Sequence, residues 1–195
     1  MIIRTLILLI LSSMFIVACT RNERKDAIST DTIDSTAIYD SLYGDPDPKD
    51  MRKQYVRDYA KSYKLDTTFR DVFGKPVHVL TNYYCLFDSA VTIPGRYVWE
   101  DTTKTFTTHN YAHDITIVRD HDTIFKRTIT KADFADLVNP EWRSYSVLFD
   151  PPNFEYDTAK AVYRFGYSLT IPITDLGEGW SLLIDNNGRM TKTDK

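Results

Sequence analysis

The sharpest pattern in the chain is an alternation in its C-terminal third. Tyr163, Phe165, Tyr167, Leu169, Ile171 and Ile173 fall on one side, with Arg164, Gly166, Ser168 and Thr170 on the other. A period of two sends successive side chains to opposite faces, so this is a strand with one face in a core. Pro172 cannot donate to a ladder and marks an edge or the end of regular pairing. Further extended segments are predicted at residues 77–87, 90–93, 96–100, 103–108, 115–119, 123–129, 145–150 and 180–184. Pro94-Gly95, Asp120-His121-Asp122, Pro151-Pro152 and Asn186-Asn187-Gly188 punctuate them, and residues 189–193 return after the last turn.

Two segments break the period. Met51, Tyr55, Val56, Tyr59, Ala60 and Tyr63 recur at steps of three and four after Asp45-Pro46-Asp47-Pro48. An Asp cap with Pro at the first helical position predicts an amphipathic helix over 48–64. Thr130-Lys131-Ala132-Asp133 resembles a capping box with Asp in place of Glu, opening a short helix over 131–138 that stops at Asn139-Pro140. The expected fold is α+β: one domain, residues 45–195, with an antiparallel, curved β-sheet of about seven to nine strands, an N-terminal amphipathic helix and one short helix. No βαβ rhythm, internal repeat or second domain boundary interrupts it.

The N-terminus carries a different signal. Arg4 precedes an apolar run through Leu11; Ser12 and Ser13 break it, and Met14 to Val17 resume it before Ala18 and Cys19. That is a basic n-region, an h-region short for a membrane span, and a small residue at a cleavage point. Ile16-Val17-Ala18-Cys19 resembles a bacterial lipobox, which implies a signal peptide over 1–18 and lipid, palmitate included, on Cys19. Several acyl chains hold a protein stably where one does not. Thr20, rather than Asp, follows the cysteine, which by the same resemblance implies the outer membrane; the face is left open. Residues 20–44 are polar, rich in Thr, Ser and Asp, and read as a flexible tether.

Charge narrows the partners. The 195-residue chain has a formal charge of −3, and removing Arg4 with the signal takes it to about −4. Nucleic acid asks for a basic stripe, so that class is excluded. Thirteen Tyr, ten Phe and three Trp suit a pleated, half-buried surface. With Cys19 consumed by lipid, Cys85 has no intrachain partner and reads as a buried thiol.

Candidate chemistry is sparse. His109, His113 and His121 fall within thirteen residues, but a strand over 115–119 holds the last two roughly 25 Å apart, so no metal is expected. Asp185, Asn187, Gly188 and Asp194 match places in an EF-hand loop, yet Leu183 stands where the first Asp should be and a strand precedes it. There is no nucleophile elbow, and Asp45, Asp47, Asp120 and Asp122 sit in turns that favour Asp locally. No catalytic residue and no cofactor is assigned. Trp99, Trp142 and Tyr156 lie near turns or strand ends, where exposed rings would stack on sugars, and Arg164 lies on the polar face of its strand. These four are the candidate ligand-binding residues.

The lipobox, the polar tether and the run Tyr163-Arg164-Phe165-Gly166-Tyr167 through Gly179-Trp180-Ser181-Leu182-Leu183-Ile184-Asp185-Asn186-Asn187-Gly188 resemble small uncharacterised lipoproteins of Bacteroidetes-type envelopes, grouped as a domain of unknown function. The resemblance implies an envelope location and transfers no catalytic residue. The resulting expectation is a membrane-anchored, non-enzymatic lipoprotein whose sheet face or edge binds a protein or peptide. A glycan-binding accessory role and a small hydrolase are the alternatives.

Overall fold

The alternating segments pair into antiparallel ladders that dominate the structure, a computed structural model that describes residues 47–98 and 103–194. The signal segment, Cys19, the tether and Trp99 lie outside the described residues. In chain order the elements are α1 (Pro48–Asp58), β1 (Tyr63–Arg70), β2 (Pro76–Cys85), β3 (Val91–Ile93), β4 (Phe106–Thr108), β5 (Tyr111–Arg119), β6 (Asp122–Thr130), α2 (Pro140–Tyr145), β7 (Val147–Asp157), β8 (Val162–Thr170), β9 (Gly177–Ile184) and β10 (Met190–Asp194). Strand is the main conformation, helices are few, and among the described residues no barrel closes. None of these helices is long and apolar enough to cross a membrane.

Where a single sheet was expected, the strands divide into two four-stranded sheets and a two-stranded ribbon. The first sheet runs β1-β2-β5-β6, the second β10-β9-β8-β7, and β3 pairs with β4. Register follows side-chain period: Val79 opposes Ile117, Tyr83 opposes His113, and Tyr163 opposes Ile184. Tyr163, Phe165, Tyr167 and Leu169 of β8 are all buried, and they face the first sheet. The His113 ring stands 5.8 Å from Phe165, and Phe69 of β1 stands 5.1 Å from Tyr156 of β7. One continuous core therefore fills the space between two inner faces.

Several local expectations shift. Tyr63, assigned by its spacing to the first helix, is the first residue of β1. Residues 95–97 form a 3₁₀ turn rather than a strand. Thr130 and Asp133 do form the reciprocal cap, but the helical turn it opens ends at Phe134. Asn139-Pro140, read as a stop, is instead a start: the Asn139 side chain accepts the Glu141 N–H at 2.8 Å, and Pro140 occupies the first turn of α2. β7 does not end at Pro151-Pro152 either. Phe149 pairs with Ser168 and Asn153 with Gly166, so Asp150, Pro151 and Pro152 oppose Tyr167 alone. Two prolines without N–H groups leave the ladder, and the strand resumes beyond them.

The β1–β2 turn is tied by a covered ion pair. The Asp71 side chain has no exposed surface; it accepts the N–H groups of Phe73 and Lys75 at 2.9 Å and the Arg119 Nε at 2.6 Å. Burial works to raise the Asp71 pKa, but Arg119 and these N–H donors outweigh it and hold the carboxyl below its usual value. Asp71→Ala is expected to lower stability by about 2 kcal/mol, less than a deeply buried pair costs, because Arg119 regains water. Urea unfolding would show it, and an unchanged midpoint would make the pair dispensable.

Candidate functional site

The bulge in β7 shapes a cavity. Phe149, Asp150 and Pro151 at the break in the ladder line it together with Thr170 at the end of β8, Tyr63, Tyr83 and Tyr111 of β1, β2 and β5, and residues of α1. The cavity holds about 310 Å³. Tyr63, Tyr83 and Tyr111 come from the first sheet, Phe149 from the second, and Tyr55 from α1.

These rings hold one another in place. Tyr83 and Tyr111 stack in parallel, 5.2 Å apart at 1°, and Tyr55 stacks on Phe149 at 6.0 Å. The Tyr83 hydroxyl donates to the Leu148 carbonyl at 2.8 Å, bridging the sheets. Thr108 Oγ1 donates to the Tyr55 hydroxyl at 3.2 Å and lies 2.7 Å from that of Tyr59. Burial pushes the Tyr55, Tyr83 and Tyr111 hydroxyls well above the ordinary tyrosine value, so they stay protonated.

Charge in the lining has one sign. Asp58 and Asp150 are its ionisable groups apart from the tyrosines, and no Lys, Arg or His contributes. Asp58 ends α1, where the helix dipole already concentrates negative potential. It pairs with Lys61 at 2.5 Å, outside the lining. Asp150 is exposed and holds φ at +63°, a left-handed backbone that Asp tolerates better than most residues. Partial covering of its carboxyl and then the charge of Asp58 raise its pKa.

The residues chosen from sequence lie elsewhere. Trp142 on α2 is half-buried against the core, its Nε1 covered and without an acceptor. Tyr156 packs inward between Phe69 and Tyr163, at 5.1 Å from each. Arg164 opposes Glu155 on the other face of the second sheet, 3.6 Å from Asp157. The structure does not bring these three together, and Trp99 lies outside the described residues. His113 faces the core and His121 sits in the β5–β6 turn at φ +76°. His109 Nδ1 accepts the Ser89 N–H at 2.8 Å near the start of β5. Cys85 is buried at the end of β2, and that burial raises its thiol pKa. The cavity residues escaped the sequence reading because they are scattered over α1 and five strands. An excess of tyrosine was their only signal.

Residues 105–191 match a known sequence family. A DUF4738 domain, a domain of unknown function, is found there. No curated protein matches the chain. DUF4738 covers β4, β5, β6 and nearly all of the second sheet, whereas α1, β1, β2 and β3 precede it. The cavity straddles that limit: Tyr111, Phe149 and Asp150 belong to DUF4738, and Tyr55, Asp58, Tyr63 and Tyr83 come from the segment before it.

Proposed function

We propose that this chain is a non-enzymatic binding module, tethered to the cell envelope by lipid on Cys19, whose cavity beneath α1 receives one side chain of a protein or peptide partner. The aromatic cavity carries this reading. Its volume sits at the lower end of ligand pockets, which run to roughly 300–1,000 Å³, and suits a single side chain. Tyrosine walls already fixed by mutual stacking lose little freedom when a ligand enters. The neighbouring sheet edge adds a second contact. Among the described residues β1 pairs with β2 alone, so its outer side offers main-chain groups to an added strand, and its first residue, Tyr63, lines the cavity. Trp142 and Tyr156, packed inward on different elements, make no stacking platform for a glycan.

Panning a random peptide library against the full-length chain in detergent tests the cavity. Gln54 is an exposed lining residue on α1, and Gln54→Trp fills the opening from a position where a large side chain does not disturb the core. Selected peptides are expected to lose binding to that variant. Peptides that bind it unchanged, or an unenriched pool, would overturn the reading. The anchor has its own test. Cells fed labelled palmitate are expected to label the wild-type chain and not the Cys19→Ser form. Absence of label on the wild type, or its persistence in the variant, removes the lipid from the proposal.

A further inference from the structure

We infer that the side chain this cavity selects is cationic, and arginine before lysine. The inference deepens the peptide-binding reading and rests on it. Three features of the lining point the same way. Aromatic rings attract cations through their quadrupoles, and Tyr55, Tyr63, Tyr83, Tyr111 and Phe149 all belong to the lining. Both charged groups of the lining are acids: Asp58 is paired with Lys61 from outside the lining, whereas Asp150 has no ion-pair partner among the described residues.

The third feature is the placing of those acids. A carboxylate at the C-terminal end of a helix opposes the dipole, and Asp58 stands there as the last residue of α1. Asp150 stands at a left-handed position, opposite no base, with the Asp58 charge acting on it. The Asp150 charge also acts on Tyr83, and that of Asp58 on Tyr111. The Asp58 charge still acts on Asp150 although Lys61 pairs with it, and a cation entering beside Asp150 would be attracted by both carboxylates. An anionic or sialylated ligand would meet the opposite field.

Arginine precedes lysine for geometric reasons. A guanidinium is planar, lies flat on a tyrosine ring, and has five N–H donors to share between two carboxylates and the tyrosine hydroxyls. It is also less strongly hydrated than an ammonium, so entering an aromatic pocket costs it less. Its aliphatic stem would lie along Met51 and Ile173, which line the same cavity.

The full-length chain in detergent, labelled at its tyrosines, would be titrated with N-acetyl-arginine methylamide and with the corresponding lysine and citrulline amides. Citrulline keeps the shape of arginine and removes its charge. Tyrosine shifts are expected to saturate with arginine, with lysine weaker and citrulline about tenfold weaker or worse, the equivalent of one charge-assisted contact. Asp150→Asn, which suits a left-handed position, and Asp58→Asn should each reduce arginine binding several-fold, and added salt should weaken it. Citrulline binding as tightly as arginine, or arginine binding untouched by either Asn variant, would overturn the cationic assignment. The panned peptides separate the two levels of the proposal. Cavity-dependent peptides anchored by apolar or acidic residues would sink the cation and leave peptide binding standing, whereas no cavity-dependent peptide would sink both.

Discussion

Gly188→Ala is expected to cost about 4 kcal/mol, more than any other single methyl added at a turn of this protein. Two separate penalties meet at that residue. Its φ of +76° is left-handed, a conformation that costs a residue with a Cβ roughly 1–2 kcal/mol. A Cβ placed there would also stand 1.9 Å from the Ile124 carbonyl oxygen of β6, which is backbone and cannot swing aside. Relieving that collision means moving the β9–β10 turn off the neighbouring sheet, and overpacking of this kind costs roughly 1–3 kcal/mol. Gly74 separates the terms. It holds nearly the same φ, +74°, at the β1–β2 turn, yet an added Cβ there meets nothing within 4 Å. Gly74→Ala should therefore show the backbone penalty alone, about 1–2 kcal/mol. Urea unfolding of the two variants would measure the difference. Equal midpoints would mean that the turn does not press on β6.

The hairpin around Gly188 was legible in the sequence, and so was β8. In both, chemistry and pattern agree: Asn-Asn-Gly supplies a residue for positive φ, and four large side chains of β8 alternate with small or polar ones. β1 was not legible. Leu65, Thr67 and Phe69 alternate correctly, but the inward face includes a threonine and follows directly on a helix with aromatic spacing. Only pairing with β2 decides it. The Pro151-Pro152 pair stopped the predicted strand for a sound reason, since neither residue can donate to the ladder. The structure satisfies the same constraint by looping three residues out and resuming the pairing. Asn139-Pro140 is ambiguous in the same way: a proline that cannot continue one helix is well suited to begin another.

The site was less legible than the fold, because its residues share no spacing. Tyr55 and Tyr111 are 56 positions apart, and Phe149 lines the cavity from the last pair before the bulge. The choice of Trp142 and Tyr156 assumed that aromatic residues near strand ends are exposed. Each instead has a packing partner in the core that no local pattern reveals: Phe69 for Tyr156, and the hydrophobic cluster for Trp142. A left-handed Asp beside two prolines looks from sequence like any turn. Its meaning comes from Asp58, which lies 92 positions earlier and lines the same cavity from α1.

Stability is expected to fall by about 3 kcal/mol as pH is lowered from neutrality towards 4, with His113 as the principal group above pH 5. His113 lies 2 % exposed between the sheets, its Nδ1 2.7 Å from the Tyr167 hydroxyl and its ring edge-on to Phe165 and Tyr167. Burial lowers its pKa from 6.5 to about 4, and the neighbouring Asp114 charge offsets only part of that. Tyr167 stays protonated, its own pKa raised by the same burial. Above pH 6.5 the ring is neutral in folded and unfolded chains alike, and its full contribution is present. Between 6.5 and 4 the unfolded chain binds a proton that the folded chain refuses, so stability rises with pH across that window and is lost on descending it. The drop of some 2.5 pH units corresponds to about 3 kcal/mol at 1.36 kcal/mol per unit. His113→Gln should flatten the slope between pH 5 and 6.5, whatever its own effect on the midpoint at pH 7. Urea midpoints at half-unit intervals would resolve this, and a wild-type curve already flat across that range would mean that the imidazole takes up its proton inside the core.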